Sequence, residues 1–425
     1  MFRLSQIISI CILMSAFLPT IPVHAGTYYV APTGSDSNAC IQARSASTPK
    51  RTIPAGVRCL AGGDTLIVKA GTYSNQEITD PPAGAASSYT TIKADPAGAR
   101  PVIIPNGANY QRGLTCNRGA ACRYIEVRGF EITRAYNSVK LYGDSTIGYP
   151  HHVRLINNIM HDTVHTNVLI SSSATGYQGG DHLIQGNTFY RTGVGNPGYA
   201  PGHNTIYNTG NRTIVEHNRF RNLAHGVGIW RTGITLQNVI IRSNVFYDIG
   251  RSSTDTWQRG NGTFSAIHVS VPGGAHKIYN NIIYRSGDES TFGGIRVGAA
   301  FASDTNHIYN NTIYDIKNAG AYAVRIGATT GNHLVRNNIA YLAARGISGG
   351  SQSNNLRVNP SFRSAAGADF RLQAGSAAID RGMTLTTVPT DFSGLRRPAG
   401  ATHDIGAYEA GASSTLAAPI SLSAQ

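Results

Sequence analysis

The phrase "HVRLINNIMHD" at 152–162 returns as "HLIQGNTFYR" at 182–191, "TIVEHNRFRN" at 213–222, "VIIRSNVFYD" at 239–248, "HKIYNNIIYR" at 276–285, "NHIYNNTIYD" at 306–315 and "HLVRNNIAYL" at 333–342. Aligned on the second Asn, the copies fall at Asn158, Asn187, Asn218, Asn244, Asn281, Asn311 and Asn338, in steps of 29, 31, 26, 37, 30 and 27 residues. A repeat of this length identifies a solenoid before any local propensity is weighed. Each copy alternates apolar with polar residues and is rich in β-branched types, which reads as strand that must stack on its neighbours to bury its apolar side. Asparagines stacked at one bend can hydrogen-bond along the ladder and fix the turn. Three residues on, His161, Tyr190, Arg221, Tyr247, Tyr284, Tyr314 and Tyr341 form a second column, read as a stack dominated by aromatic rings.

A shorter strand follows each phrase after a variable loop: "VLI" at 168–170, "VGI" at 227–229, "IHV" at 267–269, "IRV" at 295–297 and "VRI" at 324–326. Several short strands per unit, with almost no helix-forming run, predict an all-β parallel β-helix. In this second strand the flanking apolar residues point inward and the central residue outward. The outward column is then Leu169, Thr205, Gly228, His268, Arg296 and Arg325, with Tyr207, Trp230 and Arg231 on the same side. His165, His203 and His225 each precede this strand in consecutive units, and the longest insertions, 193–204 and 250–265, also enter it. Insertions on one face of a solenoid mark where binding happens.

Charged residues make up only 14% of the 425, yet the formal charge is +14, so the few charges present are lopsided. Between 125 and 350 stand 16 Arg and 3 Lys against 12 Asp and Glu, with 12 His beside them. Arginine in excess of lysine suits two-pronged recognition of carboxylate, sulfate or phosphate, so the expected partner is an acidic polymer. The first 25 residues read as a secretory signal, with an apolar run from Ile7 to Leu18 and "VHA" before Gly26. The chain is expected to be secreted, surface-bound or periplasmic after cleavage, and to act as a monomer without a transmembrane segment. Export and the lack of lysine clusters argue against nucleic acid. Cys40, Cys59, Cys116 and Cys122 remain after the signal, and four cysteines in an exported chain predict two disulfides. Spacing favours Cys40 with Cys59 and Cys116 with Cys122 among three possible pairings.

The stretches "YYVAPTGSDS" at 28–37, "TPKRTI" at 48–53, "GDTLIVKAGTY" at 63–73 and "TIKADPAGARPVI" at 91–103 resemble the start of secreted right-handed parallel β-helix proteins, among them chondroitinase-B-like, alginate and pectate lyases. The resemblance implies a small helix capping the first coil. Because Pro54 and Gly56 suit a helix interior poorly, an irregular cap is expected here. It also implies calcium as a possible cofactor, held in such lyases by Asn and two acidic residues beside a Lys base, an acidic pattern with no match in this sequence. The ending "DFRLQAGSAAID", "DFSGLRRPAG" and "HDIGAYE" (369–380, 391–400 and 403–409) resembles the C-terminal segment of exported bacterial β-helix proteins and implies a cap over the last coil. The expected organisation is therefore signal 1–25, N-terminal cap and first coils 26–124, β-helix repeats 125–355, capping segment 356–410 and a disordered tail 411–425.

Elimination from a uronate needs a cation on the carboxylate, so that the neighbouring C5 proton becomes acidic, and a base to remove that proton. Arg296 and Arg325 fit the first role and His268 or His225 the second, with Trp230, Arg231, Tyr207, His165 and His203 as substrate-binding candidates. A polyuronate lyase or related epimerase is the leading expectation. A surface or matrix β-helix that binds glycan without catalysis is the alternative. "HDTVH" at 161–165 has the i, i+4 spacing of a zinc pair, but on a strand and turn those two residues need not converge.

Overall fold

The computed structural model describes residues 25–172, 179–194, 204–230, 235–250, 265–271, 273–287, 293–298, 305–327 and 331–411, without the side chains of Ser172 and Trp230. Residues 1–24 of the expected signal, the residues after Gly411, His203, Arg231 and most of the two long insertions lie outside the described residues.

Each coil passes in turn through three parallel sheets of 12, 10 and 10 strands. One coil shows the path. His151–Ile156 lies in the first sheet, Ile159–Thr163 in the second and Val168–Ser172 in the third. Each pairs in parallel with its equivalent one coil before and one coil after. The interior is filled by inward β-branched and aromatic residues, including a stack of Phe189, Phe220 and Phe246 with ring centres 5.0 and 4.5 Å apart.

The bend between the first and second sheets takes only two residues. The first has a left-handed backbone, at Asn157, Gly186, His217, Ser243, Asn280, Asn310, Asn337 and Asn354. Glycine and asparagine adopt that conformation most readily, which explains the recurring Asn-Asn and Gly-Asn doublets. The second residue is the buried ladder Asn. Asn281 Nδ2 donates to Ile241 O at 2.9 Å and to Asn311 Oδ1 at 3.0 Å, and its backbone N–H donates to the same oxygen at 3.0 Å. The pattern runs unbroken from Asn158 to Asn355, one rung further than the repeated phrases.

At the amino-terminal end Ile53–Val57 forms a five-residue helix, so the cap is regular where an irregular one was expected. Pro54 sits in the first turn, where no backbone N–H is needed, and Thr52 caps the helix by accepting from Ala55 N at 3.3 Å. Gly56 is there for contact: a Cβ would lie 2.4 Å from Val30 Cγ2 and 2.9 Å from Leu66 Cδ1. Disulfides Cys40–Cys59 and Cys116–Cys122 staple this end.

The C-terminal segment covers the last coil and continues along the outside of the solenoid. Phe362, Phe370 and Leu372 pack on Tyr284, Tyr314, Ile339 and as far back as Val245, on the outer face of the second sheet. Leu385 and Val388 do the same for Tyr279 and Tyr309 of the first. The outer Asn of each doublet holds this strap: Asn280 Nδ2 donates to Thr390 O, Asn310 Nδ2 to Asp404 O and Asn337 Nδ2 to Met383 O. Its polar knot is the fully buried Arg397–Glu409 pair, with Arg397 also donating to Gly406 O at 2.8 Å. No helix among the described residues is long and apolar enough to cross a membrane.

Replacing Asn281 by Ala removes five hydrogen bonds and replacing Asn311 removes four, and each change leaves buried carbonyl and N–H groups unpaired. Each variant should unfold about 1–3 kcal/mol more easily in denaturant titration, and unchanged midpoints in both would refute the ladder's role.

Candidate functional site

Parallel pairing sets one central residue per coil on the outer face of the third sheet. Its register gives the column Thr115, Lys140, Leu169, Tyr207, Gly228, His268, Arg296, Arg325 and Ser348. Leu169, Gly228, His268, Arg296 and Arg325 stand where the alternation placed them. Thr205 does not, and the position belongs to Tyr207. Thr205 is fully buried, donating to His225 O at 2.7 Å. The shift follows from Asn208, which turns inward because its side chain closes the bend onto Gly210.

His268 is half-buried on this face. Burial, and then the charge of Arg296, push its imidazole down to about 4, so the ring is neutral near pH 7 and can accept a proton. Gly298 leaves room for it, since a Cβ there would lie 3.3 Å from His268 Nε2. Arg296 follows one rung on and Arg325 one rung after that, a spacing of about 4.8 Å per rung. Burial and the neighbouring Arg325 hold the Arg296 guanidinium below its usual value. Tyr322 joins this end, with Arg325 5.2 Å and Arg345 5.4 Å from its ring centre and Arg345 donating to its hydroxyl at 3.0 Å. The outward column contains no carboxylate.

The other expected residues divide. His165 is half-buried in the arch between the second and third sheets, its ring stacked on Tyr136 at 5.4 Å. His225 is buried at the start of the third-sheet strand His225–Trp230, where its Nδ1 lies 3.4 Å from the Ser265 backbone N–H. It is therefore set behind the outward column rather than on it. His203, Arg231 and the Trp230 side chain lie outside the described residues. Asn204 was missed by sequence reasoning. Its carboxamide lies over Gly228, where a Cβ would come within 2.3 Å of it, and its Oδ1 is buried without a partner. Only the missing side chain of Gly228 could have hinted at this. Among the described residues no three His, Cys, Asp or Glu side chains converge as a cation site. The outward column, without a carboxylate, does not offer the acidic ligands of the calcium site that the resemblance implies.

A second group of histidines, also missed, lies inside the solenoid at the start of the first sheet. His182 Nδ1 accepts from Val153 N at 3.3 Å, His276 Nδ1 from Val239 N at 3.2 Å and His333 Nδ1 from Asn306 N at 3.3 Å. Burial pushes His182 down to about 3 and His276 down to about 4. Both are neutral when folded and titrate at the ordinary value when unfolded, so the unfolded chain takes up protons that the folded chain refuses. Stability is complete above about pH 6.5 and is lost as pH falls toward 4, by about 1.4 kcal/mol per unit for each ring. Asn306 occupies the same register as His276 and His333. Thermal unfolding of His182→Asn and His276→Asn between pH 8 and 4 should therefore show a flatter acid slope than wild type. Identical slopes would contradict the assignment.

No family model matches the sequence, and no curated protein is similar to it in sequence. Solved structures are similar in shape. The pectate lyase Pel9A is 19% identical with a TM-score of 0.63, over 90% of this chain and 96% of that one. A rhamnogalacturonan lyase is 16% identical with a TM-score of 0.55, over 88% and 99%. XylC, in a complex with xylose, is 11% identical with a TM-score of 0.53, over 90% and 98%. Likeness at these identities shows the fold, and with the three parallel sheets it makes this chain a right-handed parallel β-helix.

Proposed function

We propose that this protein is an exported, carbohydrate-active β-helix that binds an acidic polysaccharide along the outer face of its third sheet and removes the C5 proton of a uronate. The observation that carries the reading is the neutral His268 one rung from Arg296 and two from Arg325. A coil rises by about the length of one sugar in an extended chain, so adjacent arginines can take adjacent carboxylates. Guanidinium forks match carboxylates in two prongs and withdraw charge from them, which makes the C5 proton acidic.

The C5–H bond breaks and its proton passes to an imidazole nitrogen of His268. In a lyase the electron pair forms the C4–C5 double bond, the C4–O bond breaks, and the leaving oxygen takes a proton from water, to which the His268 imidazolium returns its own. In an epimerase water on the opposite side gives the proton to C5, and the imidazolium again returns its proton to water. Fold likeness to pectate and rhamnogalacturonan lyases supports a polyuronate substrate, and the two disulfides support export. The acidic pattern of the calcium-dependent lyases, which has no match in the sequence, favours a second reading, in which the same face holds the polymer without cleaving it.

Affinity electrophoresis in alginate, pectate and glycosaminoglycan gels tests the binding. Wild type should be retarded, and less so as salt rises. Arg296→Lys should lose nearly as much as Arg296→Ala, about tenfold, because the fork is lost with the guanidinium. A double variant Arg296→Ala, Arg325→Ala that migrates like wild type on every polymer would place the site elsewhere. Ultraviolet absorbance of unsaturated product tests the chemistry. Its rate should rise as pH passes about 4, to which burial lowers His268, and stay level above, whereas a midpoint near 6.5 would contradict a buried, shifted His268 as the base.

A further inference from the structure

A second pair of like charges stands at the amino-terminal end of the same face. Lys140 occupies the outward column one rung before Leu169, and Arg112 approaches from the arch that leads into Leu114–Cys116. Burial lowers the Lys140 amine from its ordinary value, and the charge of Arg112 lowers it further. Among the described residues neither cation has a carboxylate within ion-pairing distance, and Arg112 Nε is buried without a partner. Each leans on a ring instead. Lys140 Nζ is 5.1 Å from the centre of Tyr142, and the Arg112 guanidinium is 5.7 Å from that of Tyr136. Tyr136 is itself stacked on His165 at 5.4 Å and packed against the tilted ring of Tyr110 at 4.8 Å, and Tyr110 is 61% exposed.

Two half-buried cations held together repel, and ring faces offset only part of that. An acidic group between them removes the repulsion. Exposed tyrosine at the same place offers the apolar face that a sugar ring needs. Five rungs separate Lys140 from Arg296, about 24 Å along the solenoid. The positions between them are Leu169, Tyr207, Gly228 and His268, none of which carries a charge near pH 7.

We propose that Arg112 and Lys140 form a second anion-binding subsite, so that the face takes an extended acidic polysaccharide of about six sugars, one per rung, held by carboxylate or sulfate groups at both ends with an uncharged stretch in the middle. This rests on the polysaccharide reading above and adds to it a minimum length and a charge pattern for the ligand.

The test compares Lys140→Gln and Arg112→Gln with wild type on a long polyuronate, a long sulfated glycan and a trimer of the uronate. Affinity for the long chains should fall about tenfold or more, the trimer should bind as to wild type, and the melting temperature should stay level or rise because a repulsion has been relieved. Loss confined to the polyuronate assigns a carboxylate to the subsite, and loss confined to the sulfated glycan assigns a sulfate. Equal loss on trimer and polymer, or a lowered melting temperature, would overturn the subsite in favour of a structural role. Unchanged long-chain affinity would overturn it outright while leaving the arginine end intact. A folded wild type that binds none of the three ligands would overturn the functional reading together with the subsite.

Discussion

The solenoid depends on one repeated bond set, the carboxamide that joins each bend to the coil before it and to the Asn after it. A parallel ladder has no hairpin to fix its register, and a slip of one residue would send every inward side chain to the outside. The ladder removes that freedom. Each Asn side chain donates to a buried carbonyl of the preceding coil and to the carboxamide oxygen of the next Asn, so a shifted coil would leave several buried polar groups unpaired. The left-handed residue ahead of it narrows the bend to two residues, and in the last coils its side chain fastens the C-terminal strap.

Fixed register turns single residues into columns, and columns give the third sheet its electrostatics. His268, Arg296 and Arg325 come from different coils, yet they stand within two rungs because their strands share one phase. Stacked cations disfavour one another and disfavour a charge on the neighbouring imidazole. Burial first, and then the Arg296 charge, keep His268 neutral, so an imidazole able to accept a proton stands beside two cations. The second sheet shows the opposite use of a column. There the aromatic positions are packed against each other and, from Val245 onward, under the strap, so they serve cohesion rather than recognition.

Much of this was legible in the chain. The Asn phrase is periodic and locally encoded, and in "AIHVS", "GIRVG" and "AVRIG" apolar residues flank the centre on both sides, so strand phase could be read without the fold. "HNTIYN" offered no such bracket. Asn208 takes an inward place because of a hydrogen bond to Gly210 that no alternation rule contains, and the outward residue proved to be Tyr207 rather than Thr205. The regular helix at Pro54 and Gly56 escaped for a similar reason, since intrinsic propensity disfavours a glycine that tertiary contact with Val30 and Leu66 requires. Arg345 and Arg112 reach the face from arches, not from strands, Asn204 stands at the very start of its strand, and Lys140 lies in a coil before the readable repeats. Their positions depend on how loops close.

The central claim is that this face takes a proton from C5 of a uronate, and release of tritium to water from a polyuronate labelled at C5 measures that step directly. It responds to lyase and epimerase chemistry alike and is blind to binding alone. Wild type should release tritium, and His268→Ala should bind the polymer yet release none above background. Tight retention of an acidic polymer by wild type with no release of label would contradict the claim and leave the protein a binding solenoid.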